Sequence, residues 1–478
     1  MTPSLNAIVP MACVTAAGIA AMVAESFREP GERMPIAWLG IIGLVGAALV
    51  SGLLWNTDAR SLGVIRSDNF ALFINLVLCI IGILTMLMSA DVVERERIPE
   101  GEYYALTLFA ICGMMMMAAA TDLLVVFLAL EILSLAVYVL TGIRRRSATG
   151  AEAAFKYFLL GAFSSAFFLY GIAFAFALSG STRIEQIGEA LSRQGAAEPS
   201  MLALLAVGLL AVGFAFKVSA VPFHMWTPDA YEGAPTIVTA FMSTAVKAAA
   251  FAAFARVFLS PLEPLKAQWI PMLSVIAALT MILGTVVGVV QTNVKRMLAY
   301  SSIAHAGYLL IGIVSANTTG KAAILFYLLA YAVTNMGALG IVALLGTESR
   351  PHDELRDFAG LWRSRPGLAG LMTIFLLSLG GLPPTAGFIG KWYIFSAAVQ
   401  EGHYWLAVIG VLTSVISVFF YLRIVVMMYM TEGSDVARPR VAATAMAGLA
   451  LAVIAVLYLG VLPTRALDLA LDSISTIF

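Results

Sequence analysis

Windows of about 20 apolar residues recur along the whole chain, and no other feature restricts its fold so strongly. A helix of that length crosses roughly 30 Å of hydrocarbon while satisfying its own backbone hydrogen bonds. Fourteen spans are read, at residues 4–24, 35–55, 70–90, 103–119, 122–143, 154–180, 201–227, 235–258, 269–291, 297–314, 321–346, 367–399, 404–430 and 441–463. The segments between them are too short for a soluble domain. Composition agrees: 12% of residues are charged and mean hydropathy is +0.94, whereas soluble domains carry about a quarter of their residues as charges. The expected fold is an all-α integral membrane protein.

The 28 basic and 28 acidic residues balance, leaving no basic face for nucleic acid. The first window lacks the positively charged lead of a signal peptide and reads as a retained span. Cys13, Cys79 and Cys112 lie singly inside predicted spans without metal-ligand spacing, so no zinc or iron–sulfur site is expected. One set of alternate loops holds 16 Lys and Arg, among them Arg28, Arg33, Arg95, Arg97, Arg144, Arg145, Arg146, Lys295, Arg350, Arg438 and Arg440. The other set holds 8, including Arg60, Arg66, Arg183 and Arg256. The positive-inside rule then puts the first set in the cytoplasm and both termini on the outer, periplasmic side.

Four basic residues remain within spans: Lys217, Lys247, Lys391 and Arg423, together with Glu131, His224 and His305. Arg423 lies near a span end and is expected to snorkel to the interface. An ionisable group at mid-depth is costly without water or a partner, so Glu131, Lys217, Lys247 and Lys391 are read as parts of an ion path. Desolvation favours a neutral lysine and a nearby carboxylate a charged one. A lysine that gains and loses Glu131 would therefore bind and release a proton. His224 and His305 are candidate relays, with Tyr300, Ser301 and Ser302 placed to order water beside His305.

Two spans are interrupted. "GFAFKVSAVPFHMWTPDAYEGAP" carries Pro222, and "LSLGGLPPTAGFIGKW" carries Pro383 and Pro384, each with a lysine nearby. Proline removes a helical hydrogen bond, and irregular backbone at membrane depth is tolerated only where protein or a wet cavity satisfies it. These are spans 7 and 12, five apart. An odd repeat turns the second copy over, so spans 4–8 and 9–13 are expected to form two inverted five-helix repeats. The corresponding segments are 1–102, 103–258, 269–430 and 431–478.

"FKVSAVPFHMWTPDAYEGAP", "VKRMLAYSSIAHAGY" and "GLPPTAGFIGKWYIF" together resemble the antiporter-like membrane subunits of proton-pumping NADH:quinone oxidoreductase, respiratory complex I. The resemblance runs from about residue 70 to residue 463. It implies that Glu131, Lys217, Lys247 and Lys391 line a proton route. It also implies that other membrane and peripheral subunits are partners, and that FMN, iron–sulfur clusters and quinone chemistry reside in those partners with no cofactor in this chain. A subunit of a multi-subunit sodium exchanger, sharing these motifs, is the alternative. Three lysines against one glutamate favour protons over sodium.

Overall fold

The computed structural model describes residues 5–28, 36–194, 199–347, 352–433 and 441–477. Arg33, Arg350, Arg438 and Arg440 of the orientation argument lie outside these residues. The first helices are α1 (Val9–Ser26), α2 (Ile36–Leu53), α3 (Asn69–Arg95), α4 (Glu100–Ala119), α5 (Leu123–Thr141) and α6 (Ala148–Ser179). A short hairpin, β1 (Ala59–Ser61) with β2 (Ile65–Ser67), precedes α3, and an amphipathic helix α7 (Ile184–Gln194) follows α6. Neither was signalled by hydropathy, which reads these polar stretches only as loops.

The first interruption lies between α8 (Met201–Lys217) and α9 (Trp226–Gly233). Next come α10 (Thr236–Phe241) and α11 (Lys247–Phe258), joined into one rod by a π turn, Met242–Val246. The later helices are α12 (Lys266–Val290), α13 (Val294–Ser315), α14 (Thr318–Leu345) and the single turn α15 (Leu361–Ser364). The second interruption separates α16 (Pro366–Gly380) from α17 (Ala386–Gln400). Then follow α18 (Tyr404–Met430), α19 (Ala443–Val461) and an amphipathic C-terminal helix, α20 (Thr464–Ile474).

Among the described residues twelve helices are long and apolar enough to cross a membrane. The two remaining predicted spans, 201–227 and 367–399, are not continuous helices. Their apolar halves α8 and α16 stop at proline-containing turns, where Val221–Pro222 and Pro383–Pro384 are cis. The core lies where the α10–α11 rod, α13 and α14 meet, since all or nearly all of their apolar windows are enclosed.

Two arrangements recur. α6 packs on both halves of the first broken pair, α8 and α9, and α14 packs on both halves of the second, α16 and α17. A single antiparallel bridge joins Asp122 to Arg183, before α5 and after α6, and another joins Asn293 to Glu354, before α13 and after α14. Asp122 and Asn293 are each the N-cap of the helix that follows, accepting from Leu124 and Arg296 backbone N–H groups and so satisfying orphan donors.

Candidate functional site: a buried polar row

Both half-helices at the interruptions close in the same way. After α8, Ala220 N–H bonds to Ala215 O at 2.8 Å and Ser219 is left-handed at φ 66°. After α16, Leu382 N–H bonds to Leu377 O at 3.0 Å and Gly381 is left-handed at φ 80°. This six-residue closure satisfies carbonyls that an interrupted helix would leave bare in hydrocarbon. Superposing the closures sets Ser219 on Gly381 and Pro222 on Pro384. Lys217 then falls on Leu379, so the two lysines are not matching residues of a repeat. Lys217 precedes its break and Lys391 follows the other.

Lys217 is buried and its Nζ donates to Ser134 Oγ at 2.7 Å, with Tyr157 OH at 3.5 Å. The ammonium also faces the rings of Tyr157 and Tyr138 at 5.5 and 5.8 Å from their centroids, a cation–π arrangement. Glu131 lies on α5 one turn before Ser134 but makes no ion pair with Lys217 here; its Oε1 accepts from Ser165 Oγ at 2.5 Å. Its neighbours Leu128 and Leu135 are more than half exposed, so the carboxylate sits on the flank of the bundle. A cavity of about 10 Å³, room for about one water, is lined by Ser164, Ser165, Tyr138 and Lys217.

Lys247 emerges directly after the π turn, a distortion common at functional positions. Its Nζ donates to Ser302 Oγ at 2.5 Å and to the Ser302 carbonyl, and Tyr331 presents its ring at 5.6 Å. The adjacent Ser301 hydroxyl is bonded to Tyr421 OH, which lies 3.2 Å from His305 Nε2. The other ring nitrogen, Nδ1, is 2.6 Å from Tyr327 OH. Lys391 lies beyond, its Nζ 5.1 Å from the centre of the Tyr308 ring, which packs edge-on against His305. Lys391 Nζ donates to Ser414 Oγ at 2.8 Å and reaches back across the break to Leu379 O at 2.8 Å and Gly380 O at 3.1 Å. Contacts therefore run without interruption from Lys247 to Lys391, while no hydrogen bond among the described residues joins Lys217 to Lys247.

None of the three ammonium groups makes an ion pair with a carboxylate among the described residues. Hydroxyls, carbonyls and tyrosine faces hold them instead, an environment in which loss of the proton leaves no buried carboxylate unpaired. Gly381 makes room for this. A Cβ there would lie 2.9 Å from Lys391 Cδ and 3.2 Å from Nζ.

His224, expected as a relay, stands half-buried in the first turn, with no hydrogen bond at its buried Nδ1. It joins neither lysine. Pro222 is exposed beside it. Tyr300 is only partly buried and takes no part in the His305 bonds. Arg423 donates to Val289 O at 2.8 Å and to Gln291 O, closing the end of α12. Lys295 is a buried residue rather than a loop charge, donating to Glu232 O and Ala234 O at 2.7 Å each. Arg256, assigned above to a loop, forms a buried two-pronged bond with Asp68 at 2.8 Å per arm. The tyrosines are the largest omission from the sequence reading, because aromatic residues in a membrane chain look like ordinary apolar packing. Ser134 was legible as a hydroxyl one turn from Glu131 in an otherwise apolar helix.

The family described as NADH:quinone oxidoreductase/Mrp antiporter, transmembrane, matches residues 120–417. NADH-quinone oxidoreductase subunit N of Trichlorobacter lovleyi is 46% identical over 435 residues, covering 91% of this chain and 89% of the relative. A chain of respiratory complex I from Thermus thermophilus superposes with TM-score 0.81 at 35% identity, covering 96% of this chain and 98% of that one. A chain of the Mrp complex from Dietzia sp. DQ12-45-1b shares the fold, with TM-score 0.83 at 21% identity over 100% of this chain and 98% of its own. The chain belongs to the subunit N family of NADH-quinone oxidoreductase, antiporter-like membrane proteins.

Proposed function

We propose that the chain moves protons across the membrane as a subunit of an NADH:quinone oxidoreductase, with electron transfer from NADH to quinone carried out by FMN and iron–sulfur clusters in partner subunits. The carrying observation is the row Lys247–Ser302/Ser301–Tyr421–His305–Tyr308–Lys391, buried across the middle of the bundle and free of carboxylates. Lys217 feeds it from the Glu131 flank. The water-sized cavity by Ser165 and Lys217 gives the carboxylate an indirect link to the ammonium. A lateral row between offset half-channels passes a proton without opening a pore. An open pore would dissipate about 2.3 kcal/mol per proton at 100 mV.

The two interrupted helices each count as one crossing in this reading, giving fourteen spans and both termini on one side, the periplasmic side by the arginine bias. Residues 103–258 and 269–430 form the inverted repeats, between segments 1–102 and 431–478. The recurring packing of α6 and α14, the two bridges and the two matching helix closures support the repeat. The sodium-exchanger reading has the shared fold in its favour. Against it, the row offers cations where sodium needs oxygen ligands in excess.

The test is Lys247→Ala in the reconstituted complex. Proton translocation is expected to fall to near background while NADH oxidation by the peripheral subunits continues. Pumping at the full ratio defeats the row, and a strict sodium requirement favours the exchanger. An epitope at the C-terminus accessible only from the cytoplasm defeats the orientation.

A further inference from the structure

A pocket of about 740 Å³ opens where the end of α3 meets the loop between α5 and α6, and five of its nine lining residues are Arg95, Arg97, Arg144, Arg145 and Arg146. Glu96 is the only carboxylate among the described lining residues. Glu96 lies 3.4 Å from Arg144. Glu102 meets Arg145 at 3.2 Å, but both side chains are more than half exposed and the pair is weak. Arg95 is anchored by donation to Ala343 O at 2.6 Å, while Arg145 and Arg146 are exposed. The pocket is therefore an electropositive cup with accessible guanidinium donors.

Its depth is set by the helices around it. α3 ends at Arg95, α4 begins at Glu100, α5 ends at Thr141 and α6 begins at Ala148. That is the level at which spans leave the hydrocarbon and headgroups begin. Guanidinium forks match the paired oxygens of a phosphate. α6 leaves the pocket at Ser147 and, within about three turns, exposes Phe155, Phe158 and Leu159 to the apolar surroundings. We propose that this pocket binds the headgroup phosphate of an anionic phospholipid. Arg144 also donates to Gly233 O at 3.3 Å, the last residue of α9. A lipid held here thus shares a guanidinium with the far end of the first interruption.

The test is lipid retention by the purified complex in nanodiscs of phosphatidylglycerol and phosphatidylcholine, read by native mass spectrometry. The double variant Arg145→Gln/Arg146→Gln is compared with Arg183→Gln/Arg193→Gln on the other side of the bundle. Both pairs include exposed arginines, so folding is expected to survive. The wild type should retain phosphatidylglycerol in preference to phosphatidylcholine. The first double variant should lose affinity about 25-fold, at roughly fivefold per arginine, and the second should match the wild type. Equal retention of the two lipids, or no change in the first variant, overturns the proposal. Displacement of the lipid by millimolar inorganic phosphate, with no preference between headgroups, assigns the pocket to free phosphate and also overturns it.

Discussion

The two interrupted helices solve one problem in opposite directions. In the first, the lysine stands before the break, at the end of α8, and rests on Ser134 and two tyrosine rings near a carboxylate on the bundle's flank. In the second it stands after the break, on α17, and reaches back to the carbonyl of Leu379, the residue that superposes on Lys217. The two ammonium groups are therefore held differently: Lys391 sits on carbonyls at the end of α16, where the helix dipole favours a cation, whereas Lys217, itself the last residue of α8, turns to a hydroxyl of α5 and tyrosines of α5 and α6.

Arginine in place of each lysine is the strongest way to break that comparison, since guanidinium does not release its proton in proteins. Both Lys217→Arg and Lys391→Arg are expected to abolish proton translocation measured in vesicles. They should differ in assembly. Lys217 borders a small cavity, whereas Lys391 is enclosed by the Leu379 and Gly380 carbonyls and Ser414, so the second variant is overpacked by about 1–3 kcal/mol. Equal yields of both complexes would mean that the two sites are equally tight, contrary to this contrast.

The next effect concerns the arginines that hold the long helices of each half. Arg256 on α11 is bound by Asp68, both side chains being almost inaccessible, while Arg423 on α18 is bound, among the described residues, only by carbonyls. Asp68→Ala leaves a buried guanidinium without its carboxylate and should cost about 3–5 kcal/mol. Arg423→Gln removes a donor from the end of α12 and should cost about 1–3 kcal/mol. Thermal melts of the purified complex decide the order, and a larger loss at Arg423 would reverse it.

How much of this was readable beforehand follows from the range of each interaction. The spans, both interruptions and the lysines were visible because each rests on local hydropathy or on proline and charge out of place. The Asp68–Arg256 pair joins residues 188 apart and has no local signal. That the two lysines stand on opposite sides of their breaks was hidden for a related reason: a lysine near a proline reads alike on either side of it, and only the closing hydrogen bonds fix the register. Lys295 looked like a loop charge because it adjoins Arg296, yet it folds inward onto the carbonyls of Glu232 and Ala234.

The left-handed residues at the two closures sharpen the comparison at lower energy. Gly381→Ala forces a Cβ onto a backbone at φ 80° and against Lys391, and should destabilise by about 1–2 kcal/mol. Ser219→Gly relieves a comparable conformation at φ 66° but removes the acceptor of Thr227 Oγ1 at 2.8 Å, so the two effects should cancel to within about 1 kcal/mol. Chemical denaturation separates the two outcomes, and a neutral Gly381→Ala would show that the second closure does not depend on glycine.

The smallest expected effect lies at the outer end of the charge chain Asp58–Arg66–Asp68–Arg256. The inner link is buried, whereas Arg66 meets Asp58 at 2.5 Å beside the hairpin with the Asp58 side chain about half exposed. Hydrogen bonding from Arg66 holds the Asp58 carboxyl below its ordinary value. A carboxyl depressed in the folded state contributes stability above the unfolded pKa, near 4, and loses that contribution as pH falls through the unfolded value toward the folded one. Exposure limits the link to at most about 1 kcal/mol. The protection of the Ala59–Ser67 amides, exchange taken relative to the intrinsic rate at each pH, should therefore fall modestly from pH 5 to pH 3, and Asp58→Asn should show the lower protection already at pH 7 and lose the pH dependence. Protection that stays flat in the wild type over that range would mean that the hairpin is held by β1–β2 pairing and the buried Asp68 link alone.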